Sequence, residues 1–243
     1  TGGHAARRAY DFIEATGHTI QLPIPSLFTF NNPQGAFKDL MGVSVQQATI
    51  KIAGTKYQGE GAVLITHWGL SGPGIIKLSA WSAEYLHQVN YKFTVLVNWT
   101  GKYTEHDMTQ ALTNHKSAHG KQRVSGNNLF NLPLRLWQRL CVLAEISDEK
   151  IWAELPQRNI NKLMEFLIRC PFAISGKTTF KEEFVTCGGV PLQEVDLATM
   201  ESNKINNLYF AGEVLNIDGE TGGFNFQAAW STAYVAAQAI AAK

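Results

Sequence analysis

The chain has 243 residues, of which 45% are hydrophobic and 17% are charged, and its formal net charge at pH 7 is +1. This composition supplies enough apolar surface for a sizeable core and excludes general disorder. The length suits one large domain or two small ones. The near-neutral charge creates no field that would attract nucleic acid or an acidic membrane, so we expect neither as a partner.

The sequence contains no membrane-spanning segment, no secretory signal and no disulfide pattern. No window has the unbroken run of about 18 apolar residues that a membrane-spanning helix needs, and the first ten residues lack the apolar core of a secretory signal. Cys141, Cys170 and Cys187 are far apart and form no C-x-x-C pair, which predicts three buried free thiols and no metal site. We therefore expect a cytoplasmic protein.

The first predicted elements are a short helix and an extended segment. The apolar spacing of residues 10–13 predicts a helix that Gly17 ends. A strand is expected at 18–21. The two prolines of LPIPSLFTF, residues 22–30, then impose an extended path.

Alternating apolar residues predict several short strands next. The alternation runs through 43–66 and again through 91–99, and Gly54 and Thr55 lie where a hairpin loop is expected. Short strands separated by turns predict a small antiparallel sheet or barrel. Between them, residues 74–87 have the apolar spacing of a helix.

From Thr104 the pattern becomes helical. Thr104 and Asp107 form a T-x-x-D signal for a helix start. Apolar residues at helical spacing recur in 134–146 and 160–170. The sequence therefore predicts a helical subdomain over 104–171.

The remaining elements follow in the same way. Ser147 is expected to cap a helix over 148–155. Residues 173–190 are strand-like again, so the helical region is inserted between β segments. Residues 206–214 predict a short apolar strand, and 223–242 predict a helix rich in small residues.

The segment between that strand and that helix carries the candidate binding site. Gly212 allows the backbone to approach a ligand, and Glu213 follows at a predicted strand end, where open α/β sheets bind ligands. Gly222 and Gly223 leave N–H groups free at a helix N-terminus, which attracts anions and electron-rich carbonyls. This combination predicts a nucleotide cofactor, and a glycine-rich turn with solvated acids is the alternative.

The usual contiguous phosphate motifs are absent from the sequence. No G-x-G-x-x-G opens a βαβ unit, and there is no Walker A motif. In GLSGPG, residues 69–74, the glycine spacing is reversed, and Pro73 removes an N–H where a phosphate would need a donor.

Five segments resemble, in order, a bacterial family of FAD-dependent oxidoreductases, the HI0933-like flavoproteins, which includes NAD(FAD)-utilising dehydrogenases, aminoacetone oxidases and dehydro-bile-acid reductases. Residues 208–237 resemble the second flavin-binding segment, and TGG at 1–3 resembles the turn that leaves the flavin domain. Residues 17–30 resemble the entry to the middle domain. Residues 64–76 resemble its T-H-x-G-x-S-G-P signature, and 184–202 resemble the V-T-x-G-G-V return.

The resemblance implies an α+β or α/β fold. A glutathione-reductase-like flavin domain, incomplete here, would be interrupted by a small antiparallel β-barrel domain that carries a helical insert. The implied limits are 1–19 and 183–243 for the flavin-domain part, 20–103 and 172–182 for the barrel, and 104–171 for the helical subdomain. Since the family begins with a dinucleotide-binding unit, we expect this chain to be a fragment without it.

The resemblance also implies FAD as the cofactor and assigns site residues. His67 would be a polar group on the substrate side, and the alternative is a loop histidine satisfied by backbone. Asn216 stands where the family has Asp. The residues implied to bind the cofactor are Thr1, Gly2, Gly3, Gly212, Glu213, Asp218, Gly222, Gly223, Phe224 and Asn225.

Two functions from different classes follow. The first is an FAD-dependent oxidoreductase that acts on a small organic substrate with NAD(P)H or oxygen as its redox partner, and this chain alone would bind FAD weakly and be inactive. It would also self-associate through an exposed edge of the flavin domain. The second is a non-catalytic module that binds a substrate or partner without a cofactor.

Overall fold

A computed structural model of the chain describes residues 7–32, 35–177 and 185–243. Its α-helices are α1 (Arg7–Ala15), α2 (Pro73–Trp81), α3 (Ala83–Gln88), α4 (Glu105–Ala118), α5 (Leu134–Leu143), α6 (Gln157–Ile168) and α7 (Phe224–Ala241). Its β-strands are β1 (Gln21–Ser26), β2 (Phe30–Asn31), β3 (Ser44–Ile52), β4 (Gln58–Ile65), β5 (Gly69–Ser71), β6 (Phe93–Asn98), β7 (Cys170–Ile174), β8 (Gly176–Lys177), β9 (Val185–Gly189), β10 (Val195–Asp196) and β11 (Glu201–Ser202).

The chain divides into two compact units. The first unit contains residues up to Phe28, the segment Ser79–Gln88 and the chain from 178 onward, as far as these are described. The second unit contains Thr29–Leu78 and Val89–Lys177. The predicted domain limits stay a prediction, and the segment Ser79–Gln88 joins the first unit although the sequence grouped it with the barrel.

The second unit is built on one antiparallel sheet. Within the described residues its strands lie in the order β7-β6-β3-β4-β5-β2-β8. β7 and β8 stand at opposite ends of this order but follow each other along the chain, and the Ser175 N–H donates to the Asn31 carbonyl at 3.0 Å. The sheet therefore curls back on itself, and the predicted barrel-like architecture is confirmed.

The alternation read from the sequence sets the inner face of this sheet. Ile50 and Ile52 on β3 are fully buried, and so are Val95 and Val97 on β6. Side chains two residues apart share a face of a strand, so these positions form one continuous apolar layer. Gly54, with φ of +73°, lies in the hairpin that joins β3 to β4, as predicted.

Three helices lie between β6 and β7 and form the predicted helical region. α4 begins at the predicted cap, where Thr104 Oγ1 accepts from the Asp107 N–H at 3.2 Å and the Asp107 carboxylate accepts from the Thr104 N–H at 3.0 Å. Leu112, Trp137 and Leu163 are fully buried, one from each helix. The helices end at Ile168, before β7 begins.

Two predicted helices in other places are wrong in detail. The helix expected over 148–155 is a turn followed by a short 3₁₀ segment, Trp152–Glu154, because the backbone there pairs with an earlier loop: the Val124 N–H donates to Lys150 and the Trp152 N–H to Gln122. The helix expected over 74–87 is divided into α2 and α3 at Ser82.

Two predicted strands also differ. The strand expected at 18–21 starts at Gln21 and continues through both prolines to Ser26. Residues 206–214 form an isolated bridge between Tyr209 and Glu201 and then a 3₁₀ turn. An apolar run becomes a strand only where a second strand pairs with it, and the described chain offers this one a single bridge.

The first unit has its own core. β1 pairs antiparallel with β9, which brings Ile24 opposite Cys187. α1 contributes Ile13 to an apolar cluster that includes Phe210 and Leu215.

The three predicted free thiols, Cys141, Cys170 and Cys187, are all buried. Burial raises the pKa of each thiol to about 12, so they remain protonated near neutral pH.

α7 is the longest helix and contains no charged residue. Phe226, Trp230 and Tyr234 follow each other at intervals of four residues and are 67%, 69% and 66% exposed. In the part of the chain that the structure describes, no helix combines the length and the apolar character required to cross a membrane. The exposed side chains of Phe226, Trp230 and Tyr234 form an aromatic stripe along the surface of α7.

The capping box gives a direct test of the helical region. Thr104→Ala removes the cap and should lower the free energy of unfolding by about 1 kcal/mol, measured by urea titration. Hydrogen bonds from Thr104 lower the pKa of Asp107, so the contribution is present above the ordinary aspartate pKa of about 3.9 and is lost as the pH falls through the lower folded value.

Thr113→Ala in the same helix is the matched control, because among the described residues the Thr113 hydroxyl makes only a local bond to the Thr109 carbonyl, and alanine has the higher helix propensity, so this change should not lower stability. Equal stability of the two variants at neutral pH would contradict the role given to the cap.

Candidate functional site

The loop before α7 has the open helix N-terminus that the sequence predicts. Gly222 and Gly223 have φ of +116° and +91°, which favour glycine. Gly223 is the N-cap, and no side chain caps the helix. The first helical bond runs from the Gln227 N–H to Gly223. The N–H groups of residues 224–226 have no acceptor among the described residues, so this terminus is available to a ligand.

Asn225 closes this loop. Its Oδ1 accepts from the Gly219 N–H at 2.7 Å, and its Nδ2 donates to the Gly219 carbonyl at 3.0 Å. Both ends of the amide are thus used within the loop. The side chain shapes the site, and a ligand contact at this position falls to the backbone N–H.

Gly212 lies where the predicted strand was expected to end. It has φ of +77°, and its N–H donates to Thr232 Oγ1 on α7 at 3.0 Å. A Cβ at this position would meet Ala229 at an ordinary 3.9 Å. The left-handed backbone, and not close packing, is therefore what requires glycine here.

Glu213 is exposed in the 3₁₀ turn that replaces the predicted strand end. The Tyr10 hydroxyl lies 3.5 Å from the Glu213 carbonyl. Burial, and then the Glu213 carboxylate, raise the pKa of Tyr10. The carboxylate is thus at the surface of the first unit, in the loop that leads to α7.

Asp218 is half-buried and is held by the first unit itself. Its Oδ2 accepts from Ser26 Oγ at 2.8 Å, and the Cys187 thiol is a second hydrogen-bonding partner. Burial raises the pKa of Asp218, and these two hydrogen bonds oppose the rise. The carboxylate therefore ties the loop to β1 and β9, and its implied role in cofactor binding stays a prediction.

Asn216 has a similar positioning contact. Its Oδ1 accepts from the Gly188 N–H at 3.0 Å. A Cβ on Gly188 would stand 2.6 Å from the Leu22 carbonyl, so the glycine allows β1 and β9 to approach. The sequence could not reveal these ties, because partners such as Ser26 and Asp218 are 192 positions apart.

The remaining predicted site residues lie elsewhere. Thr1, Gly2 and Gly3 fall outside the described residues. His67 is an exposed side chain of the second unit, with its ring edge-on to Trp68 at 3.8 Å between centroids. The described residues that were predicted to bind a cofactor all come from the single segment 212–225, and their role in binding stays a prediction.

The glycines of GLSGPG have a structural role in the second unit. A Cβ on Gly69 would stand 2.0 Å from the Phe30 carbonyl oxygen, and one on Gly72 would stand 2.6 Å from the Ala62 carbonyl oxygen. Both contacts are with backbone, which cannot move away cheaply. The motif therefore allows strands to approach each other, in agreement with the sequence argument against a phosphate cradle.

The segment 212–225 offers three kinds of contact. The terminus of α7 supplies unpaired N–H donors and the positive end of a helix dipole. Glu213 supplies an acceptor for hydroxyl groups. Phe224, 61% exposed, adds an apolar surface at the helix start. This set suits a ligand with an electron-rich ring edge and a polyhydroxyl chain.

Comparison with known proteins places the chain in a family. Residues 24–185 match the family described as "HI0933-like protein barrel and H2TH domain". The match covers more than half of the chain and includes the whole barrel-like sheet and the helical region. The chain belongs to the HI0933-like family.

The chain is also similar to three proteins of known name. The chain is 29% identical over 233 residues to the ribosomal RNA dihydrouridine synthase of Haemophilus influenzae, covering 95% of the chain and 55% of the relative. It is 34% identical over 206 residues to the protein of the same name from Escherichia coli, covering 84% and 48%. It is 27% identical over 236 residues to the 3-dehydro-bile acid delta(4,6)-reductase of Clostridium scindens, covering 96% and 57%. The chain thus spans about half the length of these relatives.

Proposed function

We propose that this chain forms part of an FAD-dependent oxidoreductase that acts on a carbon–carbon double bond conjugated with a carbonyl group. The observation that carries the proposal is the uncapped terminus of α7, with its glycines in left-handed conformation and Glu213 in the preceding turn. Membership of the HI0933-like family and a reductase among the relatives support an oxidoreductase.

The residues present fit a flavin. The pyrimidine edge of the isoalloxazine ring carries carbonyl oxygens and gains negative charge on reduction, so the donors at 224–226 and the helix dipole would stabilise it. Glu213 would accept a hydrogen bond from a sugar or ribityl hydroxyl. When bound, FAD supplies the hydride chemistry. The residues of this chain orient the ring and hold the loop in shape.

The names of two relatives support the proposed class of substrate. Dihydrouridine is uridine with its C5–C6 double bond reduced, and that bond is conjugated with the C4 carbonyl. A 3-dehydro delta(4,6) bile acid carries double bonds conjugated with a 3-oxo group. Both are activated alkenes, so hydride addition to the β-carbon and protonation of the α-carbon describe one common reaction.

The redox partner completes the proposal. NAD(P)H would supply the two electrons that the reduction consumes, whereas oxygen, an electron acceptor, would serve only the reverse, alkene-forming direction. A cofactor-free binding module is the alternative function. The left-handed glycines before α7 favour the flavoprotein, because they leave the N–H groups of 224–226 open to a ligand.

Removal of the Glu213 carboxylate tests the proposal. In the complete gene product, Glu213→Ala should weaken FAD binding by about tenfold, because a hydrogen bond to a charged group is lost. Flavin fluorescence during FAD titration measures the change. Glu220→Ala, in the same loop, is the matched control and should keep the original affinity. Unchanged affinity in Glu213→Ala would contradict the assignment.

We also propose that the chain prepared alone self-associates through the aromatic stripe of α7, defined by Phe226, Trp230 and Tyr234. Contact between two copies would remove this exposed apolar surface from water, which is favourable. Sedimentation velocity should show a concentration-dependent species that Trp230→Ser abolishes. Trp81→Ser, a change at another half-exposed tryptophan, should leave it in place. A wild-type chain that stays monomeric at all concentrations would contradict this proposal.

A further inference from the structure

One face of α7 packs against the first unit. Asn225, Ala229, Thr232 and Ala236 follow each other at intervals of three or four residues, and each is half-buried or buried. Residues at this spacing lie on the same side of a helix. The aromatic stripe lies on the opposite side. The packed face carries two polar side chains, and both of them bind the segment that precedes the helix.

Thr232 is the first of these polar contacts. Its Oγ1 accepts from the Gly212 N–H at 3.0 Å and donates to the Ala228 carbonyl at 2.7 Å. Since a hydroxyl has a single hydrogen, a lone pair of Oγ1 receives the Gly212 N–H. The Gly212 carbonyl in turn accepts from the Leu215 N–H at 3.1 Å, which closes the 3₁₀ turn that contains Glu213. One hydroxyl therefore holds this turn on α7.

Asn225 is the second contact, and it lies at the start of the helix. Its amide binds both the N–H and the carbonyl of Gly219. Asn225 and Thr232 are seven residues apart, which is about two turns and about 10 Å along the helix axis. The segment 212–219 is thus attached to one face of α7 at two points.

These two attachments fix the offset between two parts of the candidate site. The N–H groups of 224–226 lie beside Asn225, and Glu213 directly follows the residue that Thr232 holds. A ligand that contacts both parts must therefore match an offset that the two side chains set. Because the turn is held before binding, less entropy is lost when a ligand reaches it.

We infer that Thr232 is a positioning residue, which holds Glu213 at the offset from the α7 terminus that a ring with a polyhydroxyl chain needs. The inference rests on the proposed function and adds a basis for selecting the chain of the flavin as well as its ring. The ring contacts the terminus alone, and the chain gains a hydrogen bond only while Thr232 holds the turn. Removal of the hydroxyl leaves the Gly212 N–H without its acceptor and releases the turn from α7.

Lumiflavin and riboflavin separate the two contacts, because they share the isoalloxazine ring and only riboflavin carries a hydroxyl chain. In the flavin-free complete gene product, riboflavin should bind about tenfold more tightly than lumiflavin, as expected for one hydrogen bond to a charged group. Thr232→Val and Thr232→Ala should lower this ratio to about one and leave the lumiflavin affinity unchanged. Thr232→Ser keeps the hydroxyl and should keep the ratio. Quenching of flavin fluorescence measures both affinities.

Hydrogen exchange of the ligand-free chain tests the attachment without a flavin. The Gly212 amide should exchange faster in Thr232→Val and Thr232→Ala than in the wild type, and Thr232→Ser should restore its protection. A thermal melt should confirm that each variant folds. Thr232→Ala guards against loss of the helix itself, because alanine has the highest helix propensity.

Three results would overturn the inference. The first is a ratio that stays at about tenfold in both Thr232→Val and Thr232→Ala. The second is a Gly212 amide that exchanges in these variants as it does in the wild type. The third is an equal loss of lumiflavin affinity, because the hydroxyl would then only stabilise the fold. A wild-type protein that binds neither flavin would overturn the proposed function as well, whereas the other results leave that function standing.

Discussion

The N-terminus of α7 is the feature on which the proposed function depends. A helix leaves its first N–H groups without intrahelical partners, and a side-chain cap or solvent usually satisfies them. Here Gly222 and Gly223 turn the chain in a left-handed conformation and provide no capping side chain. Asn225 uses its amide to hold the loop and not to cap the helix. The sequence has thus placed an open, shaped donor site at the end of an uncharged helix.

The rest of the first unit holds that loop in position. Asp218 links it to β1 through Ser26, Asn216 links it to Gly188 of β9, and Thr232 of α7 binds the Gly212 N–H. Each tie uses a polar group that would otherwise need solvent, so the contacts are positional as well as stabilising. A site built in this way loses little entropy when a cofactor is bound.

The second unit depends on close packing of its strands. Its glycine signature lets strands come within contact distance, since a Cβ on either Gly69 or Gly72 would collide with a backbone carbonyl oxygen. Its inner face is filled by the apolar residues of β3 and β6. The bulge at Gln46 and Gln47 is the exception to this regularity.

Much of the fold could be predicted from the sequence, because local signals controlled it. The alternation of β3, β4 and β6, the cap at Thr104 and the small-residue helix α7 depend on neighbours within a few positions. The strand expected at 206–214 and the helix expected at 148–155 failed because long-range pairing decided them. In the candidate site, the glycines and Glu213 were predicted from residue type and order, and their role in binding stays a prediction. Ser26 and Thr232 were missed, since no sequence signal connects residues so far apart.

The central claim is that the terminus of α7 receives the flavin ring. Riboflavin, which lacks any phosphate, should be titrated into ¹⁵N-labelled chain while amide chemical shifts are followed. The claim predicts shifts at the amides of 222–226 and near Gly212. The same protein should bind FAD more weakly than about 1 μM, since one helix terminus contributes only about 0.3–2 kcal/mol of the roughly 8 kcal/mol that micromolar binding requires. Saturating riboflavin that leaves those amides unmoved would contradict it.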